Sequence, residues 1–268
     1  DFCLSRGLGD VYKRQTHLKM TDLSAAYQRK THREHILSLP DTYIGSIETA
    51  NEEVFLREED TFKATTIPLN PGFYKLIDEL LVNAHDHAIR LRQKNSENPV
   101  KNIDIDCGAT LFSIKNDGEP IDVAEHPEHK TWIPQMIFGE LLTSTNYDKN
   151  EKKLVGGKNG YGVKLVNIFA NEMVVTVVDQ PRGLKYKQTF KKNMTEVEKP
   201  IVIANKGKSS VQVIWTPDFK RFGMQSIDDG MMRLIERRVW DLAMTLGKEV
   251  KVTWNGTAVK CKNLTEYA

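Results

Sequence analysis

The chain has 268 residues, of which 40% are apolar and 28% are charged, the ordinary composition of a globular protein. It has no apolar run near the roughly 18 residues that a membrane span needs, so we expect no membrane partner. Its net charge of +2 gives no reason to expect broad DNA binding. Two local basic runs, residues 182–192 and 233–238, are interpreted as solvated surface. The three cysteines have no metal-ligand spacing, which favours a reducing compartment over secretion: Cys3, Cys107 and Cys261.

The first 15 residues show no periodicity and resemble a translated linker, so they are excluded from the fold prediction. Met20 is a candidate native start. We expect residues 1–19 to be a non-native or disordered leader and residues 20–268 to form one domain.

The strongest helix signal lies at residues 71–93. Asn70 can cap this helix and Pro71 suits its first position. Apolar residues recur at helical spacing and predict its buried face: Phe73, Leu76, Ile77, Leu80, Leu81, Ala84 and Ala88. Before it, residues 32–39 predict a short helix, and residues 40–45 predict a turn into an ordered loop.

The remaining elements are mostly paired strands. Alternating runs at 102–106 and 111–115 predict one antiparallel hairpin, runs at 173–178 and 184–190 predict another, and residues 210–215 predict a further strand. Residues 226–246 predict a second long helix, ended by Gly247. Residues 250–261 predict a last hairpin around Asn255-Gly256. Hairpins with a few long helices indicate an α+β fold and not a parallel βαβ sheet.

One edge of the helix at 71–93 carries polar residues. Glu79, Asn83 and Asp86 fall within about 60° of one another around the helix, with His87 at the edge of the stripe. Because this stripe borders the apolar face, we expect it at the core margin and not in solvent. A glutamate there can act as a general base, and an asparagine one turn later can offer an oxygen to Mg²⁺. A solvated helix edge with a pairing role is the alternative.

Residues 154–169 read LVGGKNGYGVKLVNIF, four glycines before an apolar helical run. Glycines let the backbone approach a ligand and present successive N–H groups, which favours phosphate binding. Lys158 and Lys164 can add full charges. The spacing fits neither the P-loop nor the dinucleotide fingerprint, and a simple turn remains an alternative.

Two shorter segments can add ligand contacts. Residues 143–146 supply hydroxyls and an amide. Asn116-Asp117-Gly118 follows a predicted strand, where a polar side chain beside a glycine can contact a ligand edge. Either segment alone is more typical of a turn or cap.

Together these segments resemble the ATPase family that includes gyrase, topoisomerase II, heat-shock chaperones, histidine kinases and mismatch-repair proteins. That family has a Glu-x-x-x-Asn helix, then Asp/Asn-x-Gly after a strand, then a Gly-x-Gly lid. The resemblance sharpens to eukaryotic and viral topoisomerase II, the type IIA enzymes, in five segments: HILSLPDTYIGSIE (35–48), DELLVNAHDHA (78–88), IFGELLTSTNYD (137–148), GGKNGYGVKLVNIF (156–169) and FGMQSID (222–228).

The resemblance implies a Bergerat-type ATP-binding fold, a two-layer sandwich of a mixed, mostly antiparallel sheet with helices on one face. It implies Glu79 as the general base, Asn83 as the Mg²⁺ ligand, and Asn116 and Gly118 beside adenine. It implies Tyr27 as a residue that reaches the nucleotide of a partner subunit. The phosphate and ribose contacts it implies are Ser144, Thr145, Asn146, Lys153, Gly157, Lys158, Asn159, Gly160, Tyr161, Gly162, Val163 and Lys164.

It further implies Mg²⁺ with ATP, a homodimer closed through an N-terminal gate, and double-stranded DNA as the partner of the full-length enzyme. The location would be cytoplasmic, nuclear or, for a viral protein, the host cell. A transducer domain and the DNA-cleaving parts would follow residue 268, so this fragment is expected to bind ATP but hydrolyse it poorly.

Two positions depart from the family. Pro120 stands where the family has glycine, so the loop beside the nucleotide must differ locally. His87 replaces a usual asparagine, and the resemblance implies that it can still hydrogen-bond phosphate or water. A nucleotide-sensing dimerisation module with little hydrolysis, and a chaperone of the same ATPase family, are the alternative functions.

Overall fold

The computed structural model describes residues 30–59, 61–140 and 161–267. The chain divides into two compact units, with the boundary between Ser38 and Leu39. The described part of the first unit is helix α1 (His32–Ser38) and its cap. Thr31 and Glu34 cap this helix reciprocally: each backbone N–H donates to the other's side chain, at 2.8 and 3.2 Å. The predicted helix at 32–39 is confirmed.

The second unit begins with elements that the sequence did not predict. Residues 40–45 were expected to form a turn and loop, but they contain one helical turn, α2 (Asp41–Ile44). An antiparallel hairpin follows, β1 (Ala50–Glu58) and β2 (Thr61–Leu69). Its strands alternate poorly between apolar and polar residues, because much of the hairpin is exposed. Helix α4 (Ile133–Gly139) was also not predicted.

The two long helices are α3 (Pro71–Gln93) and α6 (Asp229–Leu246). Helix α3 has the predicted bounds, cap and buried face. Helix α6 begins three residues later than predicted, since Asp228 accepts a hydrogen bond from the Met231 N–H at 2.8 Å and so starts it. The shorter helices are α5 (Gly162–Ile168) and α7 (Leu264–Tyr267).

A sheet of nine strands forms the centre of the described residues, in the order β11-β10-β3-β4-β9-β5-β6-β7, with β8 also paired to β6. Every neighbouring pair is antiparallel except β3 with β10. The predicted mixed, mostly antiparallel sheet is therefore confirmed. The strands are β3 (Asn102–Cys107), β4 (Phe112–Asp117), β5 (Ala170–Asp179), β6 (Leu184–Lys191), β7 (Glu196–Val197), β8 (Ile201–Ala204), β9 (Ser210–Pro217), β10 (Lys251–Trp254) and β11 (Thr257–Ala258).

Helices of the second unit cover one face of this sheet. Alternate residues of β5 and β9, such as Val175 and Trp215, are fully or nearly fully buried, and Trp215 contacts Phe73 of α3 at 5.5 Å between ring centroids. Strand residues on the other face, such as Lys115 and Lys187, are exposed. This is the predicted two-layer sandwich.

The β1–β2 hairpin packs on α6, where Leu56 and Ile67 form a cluster with Leu234. Here the prediction of a solvated basic run at 233–238 is wrong. Arg233 pairs with Glu58 at 3.2 Å, and Arg237 donates to the Phe55 carbonyl at 2.9 Å. These arginines hold the hairpin against α6. The sequence did not indicate this role, because their acceptors on β1 are far away from them in the chain.

Among the described helices, none combines the length and apolar character that a membrane crossing requires.

Candidate active site

The centre of the candidate site is the carboxylate of Glu79 on α3. One of its oxygens, Oε1, lies 2.7 Å from Nζ of Lys75, one helical turn earlier. Its other oxygen, Oε2, faces Gly162 at the start of α5: a Cβ built at Gly162 would lie 2.0 Å from it. The fold therefore brings the predicted base directly against the first residue of the helix that follows the glycine-rich loop.

Helix α3 is held in place at its start and in its middle. Buried Asn70 caps the first turn by accepting from Phe73 N–H at 3.0 Å, and it donates to the carbonyls of Ile47 and Phe222. Asp78, beside Glu79, accepts from Nε of Arg238 on α6 at 2.8 Å. The polar edge of α3 thus has a defined position relative to the rest of the second unit.

The polar stripe of α3 is only partly at the core margin. The side chain of Asp86 is 13% exposed and that of Glu79 is 22% exposed. Asn83, by contrast, is exposed, so the expectation that the whole stripe lies out of solvent is wrong for this residue. A helix edge is shielded from solvent only where another element packs on it. Helix α5 contacts α3 at Glu79, one turn before Asn83.

The exposed amide oxygen of Asn83 fits the needs of Mg²⁺. This ion binds through few protein oxygens, keeps several waters and takes its other ligands from phosphates. Within the described ranges, no group of three or more His, Cys, Asp or Glu side chains could hold a metal ion alone. A Mg²⁺ ion held through Asn83 would have to take its other ligands from water and from a bound phosphate.

The end of β4 places Asn116 and Asp117 on opposite faces of the sheet. Asn116 shares its face with buried Phe112 and Ile114, the face that the helices cover. Asp117 points the other way, and its carboxylate accepts from the N–H groups of Lys101 and Asn102 at 2.7 and 2.9 Å. Of the two, Asn116 is the one on the side of Glu79.

Gly118 continues this strand with a φ of +104°, which favours glycine. A Cβ there would lie 2.8 Å from Cγ2 of Val100 and 3.1 Å from Leu91, so the backbone passes close to the core. Nδ2 of Asn98 donates to the Gly118 carbonyl at 2.8 Å.

His87 joins α3 to the loop that contains Pro120. Its Nε2 lies 3.0 Å from the Glu119 carbonyl, and its Nδ1 lies 3.0 Å from Arg90. Because guanidinium can only donate, Nδ1 accepts and Nε2 carries the proton. Burial and the Arg90 charge lower the pKa of His87, which favours this neutral form. Contact with phosphate would require His87 to leave one of these partners.

Helix α5 and its N-cap residue Tyr161 carry the other described lid residues. Tyr161, Gly162 and Val163 are half-buried, whereas Lys164 is only 1% exposed. Burial lowers the pKa of Lys164 to about 8, and the Glu140 carboxylate opposes this shift. Asn167, one turn further on, donates to the Phe138 carbonyl at 2.9 Å and ties α5 to α4.

The other predicted site residues lie outside the described residues: Tyr27, Ser144, Thr145, Asn146, Lys153, Gly157, Lys158, Asn159 and Gly160. Their contacts with a nucleotide stay predictions. Sequence reasoning also missed Lys75 as the partner of Glu79, although its spacing of four residues on a predicted helix was a usable signal.

Comparisons with known proteins place this arrangement in a family. No family model matches the chain. It is 46% identical over 249 residues to DNA topoisomerase 2 of Acanthamoeba polyphaga mimivirus, and 42% identical over 242 residues to DNA topoisomerase 2 of Arabidopsis thaliana. Each alignment covers 90% of this chain, and 19% and 16% of the two relatives. The solved ATPase region of Saccharomyces cerevisiae topoisomerase II is 39% identical, with a TM-score of 0.85.

The chain belongs to the topoisomerase II ATPase family. The similarity to the yeast structure covers 91% of this chain and 64% of that one. The family and fold inferred from the sequence motifs are therefore confirmed. The chain spans less than a fifth of the length of these two topoisomerase relatives.

Proposed function

We propose that this chain binds ATP with Mg²⁺ and hydrolyses it with Glu79 as the general base. The observation that carries the proposal is the contact between Glu79 and Gly162, because it puts an acidic side chain at the point where the glycine-rich loop enters α5. A general base must lie within reach of the water it activates, and phosphates are favoured beside glycine-rich backbone.

In the proposed reaction, the Glu79 carboxylate takes a proton from a water molecule. The water oxygen forms a bond to the γ-phosphorus as the bond to the β,γ-bridging oxygen breaks, and ADP and phosphate leave. Mg²⁺, held through Asn83, would neutralise part of the phosphate charge. Asn116 and Gly118 would contact adenine, and residues 144–146, Lys153 and residues 157–164 would contact ribose and phosphates.

In the full-length protein, we propose that ATP binding joins two copies of this domain at an N-terminal gate. Tyr27 of each copy would reach the partner's nucleotide. Hydrolysis would then reset the gate during passage of double-stranded DNA. The relatives' name, DNA topoisomerase 2, and the solved ATPase region support this role. It would place the protein in the cytoplasm or nucleus, or in a host cell for a viral protein.

The test of the ATPase proposal is Glu79→Gln in the full-length protein, with ATP turnover and ATP affinity measured together. We expect turnover to fall at least about 100-fold, the usual contribution of a general base, while ATP affinity changes little. Glu97→Gln, at an exposed position after α3, is the matched control and should leave both values unchanged. Equal turnover in the Glu79→Gln and wild-type proteins would exclude Glu79 as the base.

The alternative, a nucleotide-sensing module with little hydrolysis, makes a different prediction. A non-hydrolysable ATP analogue would induce dimerisation under either proposal, but in a sensing module Glu79→Gln would leave both turnover and dimerisation unchanged. Analytical ultracentrifugation with and without the analogue measures the second quantity.

A further inference from the structure

Lys75 has two acidic neighbours on α3, and only one of them is a close partner. Its Nζ lies 2.7 Å from Oε1 of Glu79 and 4.0 Å from Oδ2 of Asp78. Asp78 already accepts from Arg238 at 2.8 Å through its other oxygen. The ammonium group of Lys75 is therefore directed mainly to Glu79.

The Glu79 carboxylate is constrained on its other side by α5. The space beside Oε2 is so small that a Cβ at position 162 would lie 2.0 Å from this oxygen and 2.9 Å from Cδ. With Oε1 bound to Lys75 and Oε2 against Gly162, the carboxylate group has one orientation. That orientation directs Oε2 toward the helix that follows the glycine-rich loop.

We propose that Lys75 is a positioning residue for ATP hydrolysis: it holds one oxygen of Glu79 so that the other is presented to the attacking water. This inference rests on the proposed function, in which Glu79 is the general base. Misplacing a reacting group by about 1 Å can cost about 100-fold in rate. A hydrogen bond that fixes a flexible glutamate therefore has a large effect on the rate of turnover.

The exposure of the pair argues against a mainly structural role. The side chains of Lys75 and Glu79 are 47% and 22% exposed, and exposed ion pairs one helical turn apart contribute little to folding. A direct phosphate ligand would differ in another way, since its loss would weaken ATP binding as well as turnover. Turnover and ATP affinity, measured separately, therefore distinguish a positioning role from a structural role and from direct phosphate binding.

The experiment uses the full-length protein and five variants: Lys75→Met, Lys75→Arg, Glu79→Gln, the Lys75→Met/Glu79→Gln double variant, and Lys192→Met. Lys192 is the control because it also pairs with a glutamate four residues later, Glu196 at 2.5 Å, but at a site remote in sequence from α3. For each variant, kcat, KM, the Kd of a non-hydrolysable ATP analogue and Tm are measured.

We expect Lys75→Met to lower kcat by about tenfold, a misplacement effect smaller than removal of the base, with Kd and Tm close to wild type. Lys75→Arg, which keeps the charge and a donor, should recover most of the rate, and Lys192→Met should resemble wild type. The double variant should be no slower than Glu79→Gln alone, because residues that act as one unit are not additive.

Three results would overturn the inference: an unchanged kcat in Lys75→Met, a rise in Kd that accounts for the lost rate, or a double variant slower than Glu79→Gln by the full Lys75→Met factor. If Glu79→Gln itself turns over ATP at the wild-type rate, the proposed function fails and the role of Lys75 fails with it. If Glu79→Gln is inactive and Lys75→Met is normal, only the inference about Lys75 fails.

Discussion

Gly162 and Glu79 are in contact between helices α5 and α3, with no room for a methyl group between them. This contact joins two motifs that are 83 residues apart in the chain. It depends on glycine for close approach and not for an unusual φ angle, since Gly162 is absent from the residues with positive φ.

The first prediction is that Gly162→Ala impairs turnover more than stability. The new Cβ would meet the end of the flexible Glu79 side chain, which can move, so the free energy of unfolding should fall by no more than about 1 kcal/mol. The displaced carboxylate should lower kcat by roughly 10- to 100-fold. Steady-state ATP turnover and urea denaturation measure the two effects.

Gly108→Ala is the matched control for this substitution, because the nearest atom to a Cβ there is the Leu111 carbonyl oxygen at 4.0 Å. A Gly162→Ala protein with normal kcat would show that the contact has no part in hydrolysis.

The second prediction concerns Asn70, which connects three segments at the start of α3. Its buried side chain caps Phe73 N–H and donates to the carbonyls of Ile47 and Phe222 at 2.6 and 3.1 Å. Asn70→Ala removes the cap and leaves these carbonyls without that donor, so we expect a loss of about 2–4 kcal/mol in the free energy of unfolding.

Asp228→Ala is the comparison for Asn70→Ala. Asp228 caps α6 through one hydrogen bond and is exposed, so its loss should cost about 1 kcal/mol. Urea denaturation followed by circular dichroism measures both variants. Equal losses would contradict the view that Asn70 has a wider role than capping.

The third prediction is a pH dependence of stability caused by Lys164. Burial lowers its pKa to about 8 in the folded protein, whereas an unfolded lysine has a pKa of about 10.4. Between these values the unfolded chain binds more protons at this position, so the contribution of Lys164 to the free energy of unfolding rises with pH. Below pH 8 both states are protonated, and the contribution is constant.

Lys164→Met isolates this contribution from other groups that titrate at high pH. The difference in free energy of unfolding between wild type and the variant should change by about 2 kcal/mol in favour of wild type from pH 8 to pH 10. Urea denaturation at closely spaced pH values checks this. A difference that does not vary with pH would mean that Lys164 titrates normally in the folded protein.

Much of the fold could be predicted from local sequence signals. Helix α3 was predicted with its bounds, its Asn70 cap and its buried face, and the three hairpins after it were predicted to within a few residues. The β1–β2 hairpin was not predicted, because its stability comes from packing on α6 and not from a clear alternation in its own residues.

The candidate site, like the fold, could be predicted only in part from the sequence. The order of its motifs was sufficient to predict the family, which the relatives confirm. The roles of Glu79, Asn83 and Asn116 in a reaction stay predictions. That Asn116 and not Asp117 shares a face with α3 could be read only from the strand register.

The amino-acid sequence alone determined the long helices, the three hairpins after α3 and the order of the ATPase motifs, because caps, turns and apolar periodicity act over a few neighbouring residues. Only the tertiary structure decided that Lys75 and Gly162 enclose the Glu79 carboxylate, that Lys164 is buried, and that the arginines at 233 and 237 hold the hairpin. Apart from the pair on α3, these contacts join segments far apart in the chain, and their geometry depends on how helices and sheet pack.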